Sequence, residues 1–416
     1  MNILFVHQNF PGQFKYLAPA LVKEGFNVSS LSFNKHKLLA NINQHTYKVS
    51  KGSADDIHDW AIDFETKVIR AEACFNKAML MASDGYYPDL IIAHHGWGES
   101  LFLKTVWPKA KLAIYCEFFY HPTKYDCCFD PEFPSKKNNE CRVTLKNINN
   151  FLHFEIADYA ISPTYWQAST FPQPFREKIK VIHDGIDTEA IKPNNNICLT
   201  LNESLKLSSD DEIITFVNRN LEPYRGYHIF MRSLPLILKE RPKARVLLIG
   251  GDGVSYGAKP PMSTWKDIFY QEIYPQLSKD ELERIHFLGF ISYKQFVAVL
   301  QLSKVHVYLT YPFVLSWSLL ESMSAGCAIV ASSTDPLLEI ISDAKNGLLV
   351  DFFDHKSLAG KVCKLLDDNE LRNLLGKNAR EFVVRNYDRK TICIPNQINW
   401  INSIFDGIKN NSKLSK

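Results

Sequence analysis

Short apolar runs alternate with longer amphipathic stretches along most of this 416-residue chain. The first run covers residues 3–7, and residues 12–23 then place apolar side chains at helical spacing before a glycine. Similar runs follow at residues 27–33, 89–95, 112–117, 157–162 and 180–183. Runs of this kind indicate strands covered on both faces, as in a parallel sheet with helices outside.

The pattern changes at residues 193–212, which are rich in asparagine, serine and acidic residues and indicate a linker. A second series of apolar runs then covers residues 213–217, 245–250, 286–289, 305–309 and 328–332, and the segment from about residue 371 is helical. We therefore predict the α/β class, with two Rossmann-like domains. The predicted ranges are 1–190 for the first domain, 191–385 for the second and 386–416 for a helical tail that packs back on the first. Parallel sheets of this type bind ligands beyond the carboxyl ends of their strands, so we expect the two sheets to face each other across a cleft.

The composition is that of an ordinary globular protein, with 46% hydrophobic residues, 22% charged residues and a formal charge of +3. This charge gives no reason to expect a nucleic-acid partner. The first residues form a strand pattern rather than a signal peptide, and no apolar run has the length that a membrane span needs. Nine cysteines without an export signal predict reduced thiols and a cytoplasmic protein.

A zinc site is the one metal alternative that the cysteines raise. Cys127, Cys128 and Cys141 follow His121, but no CxxC pair is present. Adjacent cysteines do not easily bind one metal ion together. We therefore predict no metal site.

Residues 311–326 are the most informative segment. They follow an apolar run and open an amphipathic helix that carries one carboxylate, Glu321. Such a strand–loop–helix junction directs backbone N–H groups and the positive end of the helix dipole toward a ligand. A carboxylate in the first helical turn accepts from hydroxyls, so phosphates and a diol fit together here, as in a sugar nucleotide. The alternative is that Ser318 and Glu321 form a capping box.

Two arginines stand in a loop that follows the first strand of the second series. Arg219 and Arg225 are six residues apart, and a planar, permanently charged guanidinium is well suited to phosphate. The alternative is that both are solvated loop charges. Further along, Gly251 lies in a glycine cluster that permits close approach of a ligand or forms an ordinary tight turn.

Taken in order, these segments resemble the family 4 retaining glycosyltransferases of the GT-B fold. The resemblance lies in Arg219 and Arg225 followed by glycine, GGDG at 250–253, FLGF at 287–290 and LLESMSAG at 319–326. In the first half, VHQNFPGQF at 6–14 and VIHDGID at 181–187 resemble the family more loosely. The resemblance covers nearly the whole chain, and its motifs are specific as an ordered set.

The resemblance implies a role for each matching position. Arg219 and Arg225 would neutralise the donor diphosphate, Glu321 would hold the ribose hydroxyls, and the backbone around Phe290 would contact the base. Gly12 would let the first loop close on the donor. The remaining donor-binding positions are Gly251 and the amides of Leu315, Ser316 and Trp317.

One position departs from the family pattern. The family commonly has a second glutamate eight positions before the helical one, where this chain has Phe313. This departure motivates an alternative, in which the fold is kept as a catalytically inactive module that binds a sugar nucleotide or a partner. A nicotinamide dehydrogenase is poorly supported because no GxGxxG follows the first strand. An epimerase or a pyridoxal-dependent phosphorylase lacks a supporting motif as well.

The acceptor is expected on the first half. His94 and His95 end a strand, and Glu117 stands where the family often has a functional histidine. We predict catalytic roles for His95 and Glu117 beside the two arginines, with hydrogen-bonded strand ends and a salt-bridged loop acid as the alternatives. Trp97 and the aromatic residues 118–120 either stack on a sugar or belong to the core.

The predicted function is retaining transfer of a sugar from a nucleotide-diphosphate sugar to a hydroxyl acceptor. The acceptor class is a glycan, a lipid or a small molecule, as in the synthesis of cell-surface polysaccharide or glycoconjugate. The motifs require neither a cofactor nor a metal, and a lipid acceptor would entail peripheral membrane association. The sequence does not identify the base, the sugar or the oligomeric state.

Overall fold

The computed structural model describes residues 1–36, 41–135, 138–202 and 205–414. These residues divide into two compact units. The first unit comprises Met1–Gly185 and Lys390–Lys416, and the second comprises Ile186–Arg389. The predicted domain boundaries, at residues 190 and 385, lie close to these divisions.

The first unit has a parallel sheet with helices around it. Its strands are β1 (Asn2–Val6), β2 (Asn27–Ser32), β3 (Asn43–Thr46), β4 (Leu90–Ala93), β5 (Lys111–Tyr115), β6 (Tyr159–Ser162) and β7 (Ile179–Val181). Its helices before the second unit are α1 (Leu17–Lys23), α2 (Ile62–Ser83), α3 (Leu103–Val106), α4 (Asn139–Lys146), α5 (Ile148–Ile156) and α6 (Tyr165–Ser169). Among the described residues, the strand order is β3-β2-β1-β4-β5-β6-β7. Sequence analysis did not predict β3, whose residues Asn43–Thr46 form no apolar run.

The alternation of side chains along β1 explains why its sequence is apolar throughout. Leu4 and Val6 belong to the hydrophobic cluster on one face of the sheet, whereas Ile3 and Phe5 belong to the cluster on the other. All four side chains are fully buried. Both faces of the sheet are therefore covered, which is the arrangement that parallel sheets require.

The second unit repeats this plan. Its strands are β8 (Cys198–Asn202), β9 (Leu205–Ser208), β10 (Ile213–Asn220), β11 (Arg245–Gly251), β12 (Ile285–Gly289), β13 (Val305–Tyr308), β14 (Ala328–Ser332) and β15 (Leu348–Val350). Its helices are α7 (Tyr227–Glu240), α8 (Trp265–Ile273), α9 (Lys279–Leu282), α10 (Tyr293–Leu302), α11 (Trp317–Ser324), α12 (Asp335–Leu338), α13 (His355–Asp367) and α14 (Asn369–Tyr387). In the described part of the chain, the main sheet is parallel with the order β12-β11-β10-β13-β14-β15. The predicted α/β class with two parallel sheets is confirmed.

The predicted linker at residues 193–212 is partly structured. Strands β8 and β9 pair antiparallel, and Leu207 is buried in the core of the second unit. Residues 203–204 of that segment lie outside the described residues. The prediction of a plain linker was wrong because a few leucines among polar residues are enough to anchor a short hairpin.

The last helix, α15 (Ile394–Leu414), belongs to the first unit. Phe405 stacks on Phe26 with ring centroids 5.3 Å apart, and Ile401 and Ile404 are fully buried beside α1. In the described residues, none of the helices combines the length and the apolar character needed to cross a bilayer.

The strand order identifies one position in each sheet where ligands are expected. Successive connections run in opposite directions on either side of the β1–β4 pair and of the β10–β13 pair. At such a switch point the loops after the two central strands diverge and leave a crevice at the carboxyl ends. The residues that follow β1, β4, β10 and β13 are therefore the first to examine.

Candidate active site

Arg225 is a buried cation at the switch point of the second unit. Its Nη1 donates to Oγ1 of Thr310 at 2.7 Å and to the carbonyl of Val314 at 3.0 Å. The rings of Tyr256 and Phe313 lie 5.1 and 5.9 Å from the guanidinium carbon. Burial opposes the charge, but the neighbouring tyrosines outweigh burial and raise the pKa of Arg225 above its ordinary value. The fold therefore stabilises a permanent positive charge here.

Gly226 explains how the loop brings this arginine so close to β13. Its φ of +70° lies in the left-handed region, and a Cβ at this position would come within 2.3 Å of Leu309 Cβ. Any side chain would both strain the backbone and collide with the neighbouring strand. The Arg–Gly pair is thus required by the packing of the loop, whatever ligand it binds.

Arg219 has a different setting from Arg225. It is the penultimate residue of strand β10 and its side chain is exposed. The sequence placed both arginines in a loop, but β10 extends to Asn220, so Arg219 belongs to the strand and Arg225 lies in the turn that follows it. Only Arg225 is enclosed. Of the two, Arg219 is the one that a ligand reaches without any rearrangement of the protein.

Two side chains that sequence analysis missed fix the loop beside Arg225. The buried carboxylate of Glu222 accepts from the backbone amides of Ser255, Tyr256 and Gly257 at 3.0, 3.3 and 3.2 Å. Asn220 donates from Nδ2 to Ser255 Oγ at 2.7 Å. These bonds hold Tyr256 over the guanidinium. A buried acid between two arginines in one loop was the available signal.

Phe313 completes the enclosure of Arg225. Its ring is 5% exposed and lies 5.1 Å from the ring centroids of both Tyr224 and Tyr256. The position where the family commonly has a glutamate is therefore part of an aromatic cluster. An apolar wall replaces a carboxylate at this point of the candidate donor site.

Gly251 and Phe290 are in direct contact. A Cβ on Gly251 would lie 2.4 Å from Cζ of Phe290, so only glycine leaves room for the ring. The Phe290 ring itself is 76% exposed. The structure thus brings together two predicted donor-binding positions and presents an aromatic face to solvent between β11 and β12.

Helix α11 differs from the sequence expectation in two respects. Ser316 is its N-cap and accepts from the amide of Ser318, so Glu321 takes no part in a capping box. Glu321 is the fifth residue of the helix rather than a residue of the first turn, and its Oε1 accepts from the hydroxyl of Tyr293 at 2.9 Å. Tyr293 is exposed, so the pair lies at the surface near the start of α10.

The predicted donor-facing amides near α11 are not equivalent. The amide of Ser316 donates to the hydroxyl of the buried Tyr308 at 3.0 Å, which gives it a partner within the protein. Leu315 is half-buried against the core, and the Trp317 ring is 37% exposed. The geometry favours Trp317 over Ser316 as a ligand contact, because the Ser316 amide supports the turn itself.

In the first unit, Glu117 lies beside His94. Nε2 of His94 is 3.6 Å from Oε2 of Glu117, and Gln13 Nε2 donates to Oε1 of Glu117 at 3.4 Å. Burial lowers the pKa of His94, but Glu117, with Glu99, outweighs burial and leaves the pKa above its ordinary value. A histidine and a carboxylate thus form an ion pair at the carboxyl ends of β4 and β5.

His7, at the end of β1, lies next to this pair. Its Nε2 is 2.9 Å from Oε1 of Gln13, and its ring centroid is 5.2 Å from that of His94. Burial, followed by the charge of His94, lowers the pKa of His7 to about 3, so this ring is neutral. Gly12 faces it closely, since a Cβ there would lie 2.4 Å from His7 Nε2. The first glycine loop is therefore packed on the histidine.

His95 has a structural position, in contrast to its predicted catalytic role. Its Nδ1 lies 3.1 Å from the carbonyl of Tyr115 and its Nε2 lies 2.8 Å from Oδ1 of Asn150. Its own carbonyl accepts from Nδ2 of Asn149 at 2.9 Å. Burial and the nearby His153 lower its pKa well below the ordinary value. His95 thus ties the loop after β4 to β5 and α5, so its catalytic role stays a prediction, and the histidine beside Glu117 is His94.

Cys127, Cys128 and Cys141, with His121, are the residues that raised the zinc alternative in the sequence. All nine cysteines are free thiols. His121 Nε2 lies 2.7 Å from the carbonyl of Thr170, and among the described residues Cys127, Cys128 and Cys141 do not converge with it as metal ligands.

Family models match both halves of the chain. The model described as "Glycosyl transferase family 4 group" matches residues 24–191, and the one described as "Glycosyl transferases group 1" matches residues 200–382. The chain belongs to the family 4-like glycosyltransferases. The arginines, Glu321 and Phe290 all lie in the part matched by the second model, and His94 and Glu117 lie in the part matched by the first.

Several curated proteins are similar over part of the chain. An uncharacterized glycosyltransferase of Methanocaldococcus jannaschii is 29% identical over 228 residues, or 54% of each chain. Spore coat protein SA of Bacillus subtilis is 27% identical over 225 residues, covering 53% of this chain and 57% of that protein. A D-inositol 3-phosphate glycosyltransferase of Corynebacterium efficiens is 26% identical over 208 residues, covering 49% and 46%. The chain spans about half the length of the curated relatives it matches.

Solved structures share the fold over nearly the full chain. Sucrose-phosphate synthase from Thermosynechococcus elongatus aligns with a TM-score of 0.72 at 17% identity, covering 98% of this chain and 100% of that one. HepE of Anabaena, solved with UDP-glucose, aligns with a TM-score of 0.66 at 16% identity, covering 97% and 99%. At these identities the similarity establishes the GT-B fold.

Proposed function

We propose that the protein is a retaining glycosyltransferase that moves a sugar from a nucleotide-diphosphate sugar to a hydroxyl acceptor. The observation that carries the proposal is Arg225, a cation stabilised at the switch point of the second unit with Arg219 exposed near the end of β10. The fold is also that of HepE, which was solved with UDP-glucose. A glycan, a lipid or a small molecule is the proposed acceptor class, in cell-surface polysaccharide or glycoconjugate synthesis.

In this reaction, the residues that face the leaving group have the largest effect on the barrier. Cleavage of the sugar–phosphate bond develops negative charge on the diphosphate, and preorganised cations lower that barrier directly. Arg219 and Arg225 supply this charge in the proposal, and the start of α11 adds its dipole. The neutralisation is thus assigned to side chains rather than to a metal ion, so a chelator should leave turnover unchanged.

The His94–Glu117 pair is assigned to the acceptor side. Its two groups lie 3.6 Å apart, and the charge of Glu117 favours the protonated form of His94. In the proposal this pair orients the acceptor hydroxyl, and the leaving phosphate takes its proton, as the resemblance to retaining enzymes implies.

Substitution of Arg219 tests the phosphate assignment. Because Arg219 is exposed, Arg219→Ala should leave the fold intact and lower donor turnover by roughly 10²–10³-fold. It should also weaken the binding of a nucleoside diphosphate far more than the binding of the free nucleoside, as measured by calorimetry. Equal weakening of both ligands would refute the assignment.

An inactive binding module is the second candidate, and Phe313 is the observation that favours it. Its ring closes the position where the family has a sugar-contacting carboxylate. Slow hydrolysis of donors from a panel of nucleotide sugars separates the two functions. Tight binding without turnover of any donor would support the module and contradict transfer.

A further inference from the structure

Four cationic side chains gather on one face of the first unit. Lys67 and Arg70 lie on α2, and Arg142 and Lys146 lie on α4. Nζ of Lys67 donates to the carbonyl of Lys146 at 3.3 Å, so the two helices bring these lysines together. None of the four has a role in the site described above.

The two lysines differ from Arg142 in having no counter-ion. Arg142 pairs with Asp63 at 3.1 Å. In contrast, within the described ranges no carboxylate comes within 4.0 Å of either ammonium group of Lys67 or Lys146. Asp63 and Asp126 act on the lysines only at longer range.

This arrangement works against folding. Burial, followed by the charge of Lys146, lowers the pKa of Lys67 to about 8, and burial also lowers the pKa of Lys146. Lys67 donates to a carbonyl and Lys146 lies over an aromatic ring, but neither neighbour neutralises a charge. Half-buried ammonium groups without a counter-ion cost free energy, because they lose water and repel each other. A bound anion would remove both penalties, which is why unpaired, partly desolvated cations are typical of binding sites.

The cluster is held in place rather than spread into solvent. Gly98, with a φ of +97°, lies so close to α2 that a Cβ would come within 2.6 Å of the Lys67 carbonyl oxygen. Asn147 exchanges two hydrogen bonds with the backbone of Tyr120, at 3.2 and 2.6 Å. This fixes the Tyr120 ring, whose centroid lies 3.6 Å from Nζ of Lys146.

The cluster also adjoins the candidate acceptor groups. Arg70 lies over the Trp97 ring at 5.7 Å, and Trp97 stacks on His94 at 6.2 Å. Tyr120 follows Glu117 by three residues. Arg70 is thus one side chain away from His94, and Tyr120, beside Lys146, lies in the loop that also carries Glu117.

We propose that Lys67, Arg70 and Lys146 bind the phosphate group of a phosphate-bearing acceptor, with Trp97 and Tyr120 as the walls of that subsite. A phosphate monoester suits neighbouring cations on α2 and α4 because it carries up to two negative charges on oxygens that accept from several donors at once. The identification of the ligand as an acceptor rests on the proposed function, whereas the anion site itself is argued from the first unit alone. Either a soluble phosphate ester or a lipid headgroup would supply such a phosphate group.

Lysine labelling of the full-length chain tests this site without any donor. The protein is acetylated briefly with acetic anhydride, and the modification of each lysine is measured by mass spectrometry. Glycerol 3-phosphate should protect Lys67 and Lys146, whereas glycerol should not. Lys304 is the matched control, because burial lowers its pKa as well and it lies in the second unit. Its labelling should stay constant.

The source of the phosphate is decided in a second arm. Vesicles of phosphatidylcholine with phosphatidic acid replace the soluble ester, and pure phosphatidylcholine vesicles are the control. Protection by glycerol 3-phosphate supports a soluble acceptor, and protection only by the acidic vesicles supports a lipid one. Absence of protection in both arms, or equal protection of Lys304, would overturn the proposal.

Variants give an independent measure of affinity. Lys146→Met should raise the concentration of glycerol 3-phosphate needed to protect Lys67 by about tenfold, since a charge-assisted hydrogen bond is lost. Lys304→Met should not change it. If protection is observed but no donor is ever turned over, the proposed function fails and the phosphate site remains. If sugar transfer is observed but neither lysine is protected, the phosphate site fails and the proposed function remains.

Discussion

The two units treat buried positive charge in opposite ways. In the second unit, neutral oxygens and aromatic rings surround Arg225, and its pKa is raised. In the first unit, Lys67 and Lys146 are half-buried beside each other and burial lowers the pKa of both. The fold therefore stabilises the charge of the arginine and destabilises the charges of the lysines.

The difference follows from the chemistry of the two side chains. A guanidinium is weakly hydrated and offers five donors in a plane, so it exchanges water for protein oxygens at little cost. An ammonium is strongly hydrated and compact, so burial without an anion costs more. Arg225 thus stabilises the fold of its unit, whereas the charges of the two lysines are neutralised only when a ligand supplies an anion.

The largest expected effect comes from Arg225→Met. It removes a charge that the fold stabilises and leaves the buried Thr310 hydroxyl and Val314 carbonyl without their donor. We expect the free energy of unfolding to fall by about 3 kcal/mol. Urea unfolding measures it, and Arg219→Met is the control, within about 0.5 kcal/mol of the original protein. An unchanged unfolding midpoint would show that Arg225 is not structural.

Lys67→Met should have the opposite sign. Methionine keeps the apolar stem and removes an unpaired, half-buried charge. We expect the free energy of unfolding at neutral pH to rise by about 1–2 kcal/mol, after allowing for solvent screening. A loss of stability in the same urea experiment would mean that the ammonium group is paired in the folded protein.

This gain should depend on pH in a defined window. Below about pH 8 both the folded and unfolded states hold the Lys67 proton, so the full penalty is present. From about pH 8 to the ordinary pKa of 10.5, the unfolded state binds more protons, and stability rises with pH. The advantage of Lys67→Met should therefore shrink across this range. Lys146, Arg70 and Asp63 face the group and are present in both proteins.

The smallest effect is expected for Tyr120→Leu. It removes the ring that lies 3.6 Å from Nζ of Lys146 and should weaken protection by glycerol 3-phosphate only modestly, by about 1 kcal/mol, because the ammonium loses a cation–π contact. Tyr87→Leu, an exposed tyrosine of the same unit, is the control. If both variants weaken the protection equally, the effect comes from the loss of any exposed ring in this unit and not from the cation–π contact.

The fold was predictable because both sheets consist of continuous apolar runs with helices between them. The strand β3 was not, since its residues are polar, and the hairpin β8–β9 was not, since its leucines are interrupted by polar residues. Arg219 and Arg225 were predictable as a pair at the carboxyl end of β10. Their different burial was not, because it depends on Thr310 and Val314, more than eighty positions away.

The two histidines show most clearly what could not be predicted from the sequence. His94 and His95 are adjacent at the end of β4 and both are buried, so sequence alone does not decide which one lies beside Glu117. Four buried partners on β5 and α5 decide it for His95, namely Tyr115, Asn149, Asn150 and His153. Likewise Lys67 and Lys146 are 79 positions apart and meet only through the pairing of α2 with α4.

The most direct test of two separate phosphate sites is a crossed binding experiment by calorimetry. A nucleoside diphosphate and glycerol 3-phosphate are each titrated into the original protein, Arg219→Ala and Lys146→Met. We expect Arg219→Ala to weaken only the nucleotide and Lys146→Met to weaken only the phosphate ester. Weakening of both ligands by either variant would contradict the assignment of the arginines to the donor and of the lysines to the acceptor.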